Sequence, residues 1–444
     1  MAPRSEDAAG QNDRARAAPP GGESRPGRRP GFYYGWVILL AGFLLLYSGF
    51  GVQFSFGLFL PDIEAALAPG RRAVLSLAFA LYLGLAGGFS VVSGIATDRW
   101  GPRPTVFAGA LLAAGGLLWA SQARALWEFF LGYGVIFALG MSVTWVPATS
   151  TVVKWFMARR GLAAGVVTAG VGAGQLTVPP LSALALEPLG WRTAHLVYAL
   201  GLLAVFSLAA LLLERDPESR GLRVEGAAPS PGADPQDDSF TLREALRTLP
   251  FWQFAVALSM LWAVVYLPAV HLPPFAKETL GLSSQAASFI LTAIAVGSIS
   301  SRLLGGAVSD LAGHYRTLVT AIALEVLAYL GMWATAVFEV TPLLYISAFL
   351  FGIGYGTVAA LYAVILADLF GRRYASSISG AVYAMAGGAT GLGVLLAGVL
   401  YQLTDGYAGA FLLGGLFVIS SLPLFLMVRR PRRRATTRRQ TAIP

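Results

Sequence analysis

Residues 94–101 read GIATDRWG and residues 306–313 read GAVSDLAG, one pattern of glycine, aspartate and glycine written twice, 212 positions apart. Each copy closes a long apolar run and opens onto a short polar turn. A second pair agrees: FMARR at 156–160 enters a glycine-rich apolar run, and FGRR at 370–373 enters another. Self-similarity at a fixed distance marks an internal repeat. Working outward from these copies, apolar runs begin near Tyr34, Ala73, Pro104, Leu126, Gly161 and Trp191. Six more begin near Phe251, Ser284, Thr317, Thr341, Tyr374 and Tyr407. A run of about 20 apolar residues spans a bilayer. In lipid, backbone polar groups need internal partners, and alternation at period two is absent, so the runs are helices and not barrel strands. The expected fold is all-α and integral to the membrane, with twelve transmembrane helices in two six-helix bundles. Its parts are a disordered cytoplasmic tail (1–31), a first bundle (32–213), a cytoplasmic linker (214–250), a second bundle (251–428) and a basic cytoplasmic tail (429–444).

Composition supports this. Of 444 residues 56% are hydrophobic and only 12% charged, about half the charged share of a soluble domain. Cysteine is absent, which excludes disulfides, thiolate metal sites and cysteine nucleophiles. No phosphate-binding glycine loop, metal-ligand constellation or nucleophile–base spacing is present, so neither an enzyme nor a cofactor or metal is expected. The N-terminus lacks the apolar core of a cleavable signal. The net charge of +9 raises the question of nucleic acid, and its distribution answers it. With the chain starting inside, 26 of the 32 Lys and Arg fall in cytoplasmic segments, five outside, and Arg302 alone within a span. That asymmetry orients a membrane protein with both termini in the cytoplasm. The basic tail from Arg429 to Arg439 then anchors to lipid headgroups, and no nucleic-acid partner is expected. Thirty arginines against two lysines suit a GC-rich bacterial genome, hence a plasma membrane location in a bacterial inner membrane.

The stretch GIATDRWGPRP at 94–104 resembles the loop motif of the major facilitator superfamily, and the resemblance covers Tyr34 to Val428. It implies two rocking bundles, alternating access, and a gating latch formed by Gly94, Asp98, Arg99, Gly101 and Arg103, echoed by Gly306 and Asp310. A carboxylate suits a helix N-terminus, and arginine offers it a forked partner. Three features resemble the monocarboxylate-transporter and oxalate–formate-exchanger branch. They are YGWV (34–37) with FSFGLFLP (54–61), KWFMARRGLA (154–163), and a single arginine, Arg302, in the eighth helix. The glycine-rich fifth helix has prolines only at Pro179 and Pro180, unlike the drug/proton antiporters, and its glycines read as close packing.

Arg302 lies eight residues before Asp310, roughly 12 Å inside the helix end. A cation there costs at least ~2.5 kcal/mol. A substrate carboxylate offsets that cost with two parallel hydrogen bonds; a structural pair with Asp310 or Glu325, or snorkelling, is the alternative. His271 stands among Pro268, Pro273 and Pro274, where the helix is expected to break, and histidine titrates near neutrality. It and the mid-helix Glu325 are the proton-coupling candidates. Tyr355, Tyr362 and Tyr383, with Gln53, Trp145 and more weakly Gln175, are candidates to line a cavity and hold an oxygen-rich solute. His195 and His314 receive no role.

The chain departs from its branch in places. The eleventh helix has no Lys or Arg, unlike the oxalate exchangers, which disfavours a dicarboxylate. Ser298 stands one turn before Arg302 where animal carriers have aspartate, and the first helix has no lysine. The expected function is secondary transport of a small monocarboxylate such as lactate or pyruvate, with a proton, by a protein functional as a monomer. Export or exchange of another organic anion or of an uncharged amphipathic compound is one alternative. A membrane sensor on a transporter fold is another.

Overall fold

Twelve long helices cross the molecule, in a computed structural model that describes residues 33–226, 239–404 and 407–431. The first half holds α1 (Gly35–Phe54), α2 (Arg72–Gly88, continuing as Ser90–Trp100), α3 (Pro102–Gln122), α4 (Leu126–Trp155), α5 (Arg160–Ala185) and α6 (Gly190–Leu212). The second holds α7 (Leu249–Val264, continuing as Leu267–Glu278), α8 (Ser284–Ala312), α9 (His314–Phe338), α10 (Thr341–Phe370), α11 (Ala375–Thr404) and α12 (Tyr407–Met427). No strand occurs among the described residues. The expected N-terminal tail, most of the basic C-terminal tail and the middle of the linker lie outside them.

The burial pattern is that of a protein solvated by lipid. Leu184, Leu211 and Leu311 are 80%, 71% and 91% exposed, while Asp98, Lys154, Arg160, Arg302, Glu325 and Arg372 are buried. A soluble protein does the reverse. Apolar groups gain nothing by leaving lipid, so the interior is held by close packing and by polar contacts.

Both copies of the repeat do the same structural work. Gly101 and Gly313 end α2 and α8 with φ of 95° and 96°, a left-handed conformation that glycine adopts without strain. The first glycine of each copy lets two backbones touch. A Cβ on Gly94 would strike the Ser376 carbonyl of α11, and one on Gly306 would strike the Gly161 carbonyl of α5. The halves therefore meet through two equivalent pairs, α2 with α11 and α5 with α8.

The prolines of α7 break the helix earlier than the sequence suggests. His271, Pro273 and Pro274 are all helical, and the break falls at Val265 and Tyr266. Pro268 lacks an N–H and its ring clashes with the carbonyl four residues back, which belongs to Val264. The freed Val264 carbonyl accepts a hydrogen bond from Tyr329 Oη at 2.6 Å. Tyr329→Phe is expected to leave it unpartnered and to destabilise the protein by about 1–3 kcal/mol, read as a lower thermal midpoint in detergent. An unchanged midpoint would remove this account of the break.

The described parts of the linker are docked. Glu225 N donates to Trp155 O at 3.1 Å, Trp155 Nε1 to Glu214 O at 3.2 Å, and Phe240 N to Phe370 O at 2.8 Å. The segment 214–226 thus lies along the end of α4, and Arg215 Nη2 donates to Asp98 O of α2 at 2.6 Å.

Candidate functional site

Two features occupy the interface between the halves: a polar cluster at the end carrying the repeated motifs, where the expected latch falls, and a cavity above it. In the latch, Asp98 Oδ1 accepts from Lys154 Nζ at 2.7 Å, and Asp98 Oδ2 accepts from the backbone N of Ser377 at 2.7 Å. Asp98 so caps the first turn of α11, where unpaired N–H groups and the helix dipole favour an anion. Lys154 also reaches Ser376 Oγ at 3.3 Å, and Ser150 Oγ lies 2.8 Å from the same hydroxyl. The second copy mirrors the first. Asp310 accepts from Gly161 N at 2.7 Å and Leu162 N at 2.9 Å, capping α5. Arg160 Nη1 pairs with Asp368 at 2.6 Å, and His314 bridges Asp310 (3.2 Å) and Asp368 (2.6 Å).

The other motif cations stand elsewhere. Arg103 donates to Leu213 O at 2.8 Å and pairs with Glu214 at 2.8 Å, tying α3 to the end of α6 within one half. Arg99 is exposed, 5.6 Å over the ring of Trp100. At this end of the interface Lys154, Arg160 and Arg372 meet the opposite half, the last donating to Lys154 O at 3.2 Å. The sequence held a signal for one of them: Lys154 is one of only two lysines and follows an apolar run.

The cavity, of about 60 Å³, lies between α1, α2, α4, α7 and α11, and Gln53, Tyr82, Trp145, Trp262, Tyr266 and Tyr383 are among its walls. A buried water needs about 10–15 Å³ by this measure, so the space suits a solute of few heavy atoms. Tyr82 Oη donates to Gln53 Oε1 at 2.8 Å. Trp145 and Tyr383 are stacked, centroids 5.5 Å apart at 9°, and Tyr362 packs against both at 6.3–6.4 Å. Trp145 Nε1 and Tyr362 Oη are buried and make no well-formed hydrogen bond, lying within reach of each other and of Thr149. Such donors are costly to leave unmade, and both sit at or just behind the cavity wall.

Arg302 stands one layer further back. It is wholly buried, with Nε donating to Ser298 Oγ at 3.1 Å and Nη1 to Thr168 O at 2.9 Å across the interface in α5. Its Cζ lies 5.1 Å from the centroid of Tyr355, whose ring packs on the cavity-lining Trp262 at 6.3 Å. No carboxylate pairs with it among the described residues. Asp310 is engaged at α5, and Glu325 is buried against Gly354 of α10.

The sequence profile of the Major Facilitator Superfamily matches residues 38–389 and 254–444. The chain belongs to the major facilitator superfamily. Among curated superfamily relatives it is similar to human monocarboxylate transporter 11, 28% identical over 92% of this chain and 85% of that protein. Bovine monocarboxylate transporter 13 is 29% identical over 90% and 91%. Rat monocarboxylate transporter 4 is 26% identical over 89% and 83%. Among solved structures, the human organic anion transporter MFSD10 superposes with a TM-score of 0.67 at 14% identity, covering 88% of this chain and 99% of that one; this likeness concerns the fold. The protein is thus a multi-pass superfamily transporter related to the monocarboxylate transporters, not an enzyme.

Within the superfamily fold the remaining candidates fall apart. Gln53, Trp145 and Tyr383 line the cavity, with Tyr362 and Tyr355 behind them. His271 is half-buried beside Tyr407, ring centroids 6.1 Å apart, and does not line the cavity. Glu325 does not line it either. Sequence reading missed Tyr82, Trp262 and Tyr266. Only Tyr266 had a local signal, Pro268 two residues on, which opens the helix at that point.

Proposed function

We propose that the chain is a secondary carrier of a small monocarboxylate, moved with a proton by alternating access between the two halves. The observation that carries this reading is Arg302: a fully buried guanidinium without a carboxylate partner among the described residues, at the interface of the halves. An anion entering past Tyr355 would compensate it, and Trp145 Nε1 and Tyr362 Oη would serve a hydroxyl or keto oxygen. The names of the curated relatives point the same way. A monoanion that crosses with one proton carries no net charge, which is the reason for coupling. The charge asymmetry supports cytoplasmic termini, and a plasma membrane location is part of the same proposal.

A second reading has its own observation. Arg302 stands behind the wall, while the wall itself is largely aromatic, and stacking rings would suit an uncharged or amphipathic compound. Thermal unfolding of purified protein with L-lactate, pyruvate, the neutral lactamide and a neutral aromatic amide separates the two. The anion reading expects lactate or pyruvate at 100 times its dissociation constant to stabilise by about 2.7 kcal/mol, with lactamide inert. Stabilisation by the neutral compounds alone would favour the second reading.

A further inference from the structure

A second cavity, of about 360 Å³, opens at the latch end and is lined by Lys154, Arg215, Asp216, Ser219, Arg372 and Arg373. Its walls come from α4 in the first half, from segment 214–226, and from the turn between α10 and α11 in the second. Three ion pairs surround it: Lys154 with Asp98 at 2.7 Å, Arg215 with Asp216 at 3.9 Å, and Arg372 with Glu218. Close by, Arg103 and Arg220 share the single carboxylate of Glu214 at 2.8 and 3.0 Å. No carboxylate pairs with Arg373 among the described residues; its guanidinium lies 5.6 Å over Tyr374. Six cations thus gather around four carboxylates, an excess of two positive charges. One of the wall residues is itself buried. Arg372 is only 7% exposed, and its Nε has no hydrogen-bond partner. Its Nη1 and Nη2 are engaged by Lys154 O and Glu218, so the exposed Arg215 and Arg373 are the wall cations open to a ligand.

We propose that this cavity binds a phosphoryl group, and that its occupancy holds the two halves closed at the latch end. A phosphoryl dianion matches the excess charge, its oxygens suit the forked guanidinium groups, and the Ser219 hydroxyl adds a donor. Because the walls belong to both halves, rocking the halves apart dismantles the site. A ligand that binds only one state shifts the equilibrium toward it. The phosphoryl group comes from a soluble anion or from a phospholipid headgroup. The inference does not depend on which solute the carrier moves.

The test is calorimetric titration of the purified full-length protein with pyrophosphate at constant ionic strength, repeated with Arg373→Gln and Arg215→Gln. A second arm places the protein in phosphatidylcholine nanodiscs with and without phosphatidic acid. The expected result is pyrophosphate binding with Kd below about 1 mM, weakened at least tenfold by Arg373→Gln, whose thermal midpoint without ligand stays at the wild-type value. Competition by phosphatidic acid assigns the site to a headgroup; pyrophosphate binding that phosphatidic acid leaves unchanged assigns it to a soluble anion. Equal affinity in wild type and Arg373→Gln, or no binding of pyrophosphate and no response to phosphatidic acid, overturns the proposal.

Discussion

Asp98→Ala is expected to raise the reactivity of a cysteine placed at Ser90 between tenfold and a hundredfold. Ser90 is buried between the halves, its hydroxyl donating to Gly380 O at 3.0 Å. The chain has no native cysteine, so Ser90→Cys is a unique reporter for a polar maleimide added from the latch side. The Asp98–Lys154 pair lies within one half and survives opening. Of the contacts around Asp98, opening breaks the bond from Ser377 N to its carboxylate, together with Lys154 to Ser376. A hydrogen bond to a charged group contributes roughly 1.5–3 kcal/mol, and 1.4 kcal/mol is a factor of ten in a population ratio. Asp98→Asn keeps an oxygen for Ser377 N but loses the charge, so its rate should lie between. Equal labelling in all three proteins would mean that this contact does not set the conformational balance.

Arg302→Lys is expected to lower the apparent affinity for the transported acid by at least tenfold, although the charge is kept. Lysine presents a point charge where arginine presents a fork, and its ammonium cannot hold two carboxylate oxygens in parallel. The same change also disturbs the bonds to Ser298 and Thr168 O, so folding must be judged separately by the thermal midpoint and by size-exclusion profile. Concentration-dependent uptake separates the possibilities. A raised KM with a normal midpoint is the predicted outcome, whereas unchanged KM and rate would assign Arg302 to structure and move the cargo toward neutral compounds.

The parts of this molecule legible in the sequence are those whose physics is local. Apolar run length dictates the spans, and the repeated glycine–aspartate–glycine pattern places two equivalent turns at Gly101 and Gly313, both with positive φ. Asp98 and Asp310 could be read as helix-capping carboxylates because their charge and position are local facts. Their partners could not. Which helix Asp98 caps depends on α2 meeting α11, and Lys154, Arg160 and Arg372 cross between halves only because α4, α5 and α10 converge there. The cavity shows the same division. A buried Arg302 is evident from one charge in an apolar run, but the meeting of Trp145, Tyr383, Trp262 and Tyr266 depends on three helices from two halves. His271 shows the converse: a conspicuous residue among prolines, yet the break those prolines cause turns Tyr266 into the cavity and leaves His271 beside Tyr407.

The central claim is that Arg302 receives a carboxylate carried with a proton. Uptake of labelled L-lactate into proteoliposomes, with and without an inward proton gradient, tests it in wild type and Arg302→Ala. The account predicts uptake that the gradient stimulates and that the variant loses while remaining folded. Wild-type rates in Arg302→Ala, or lactate uptake indifferent to the proton gradient, would contradict it.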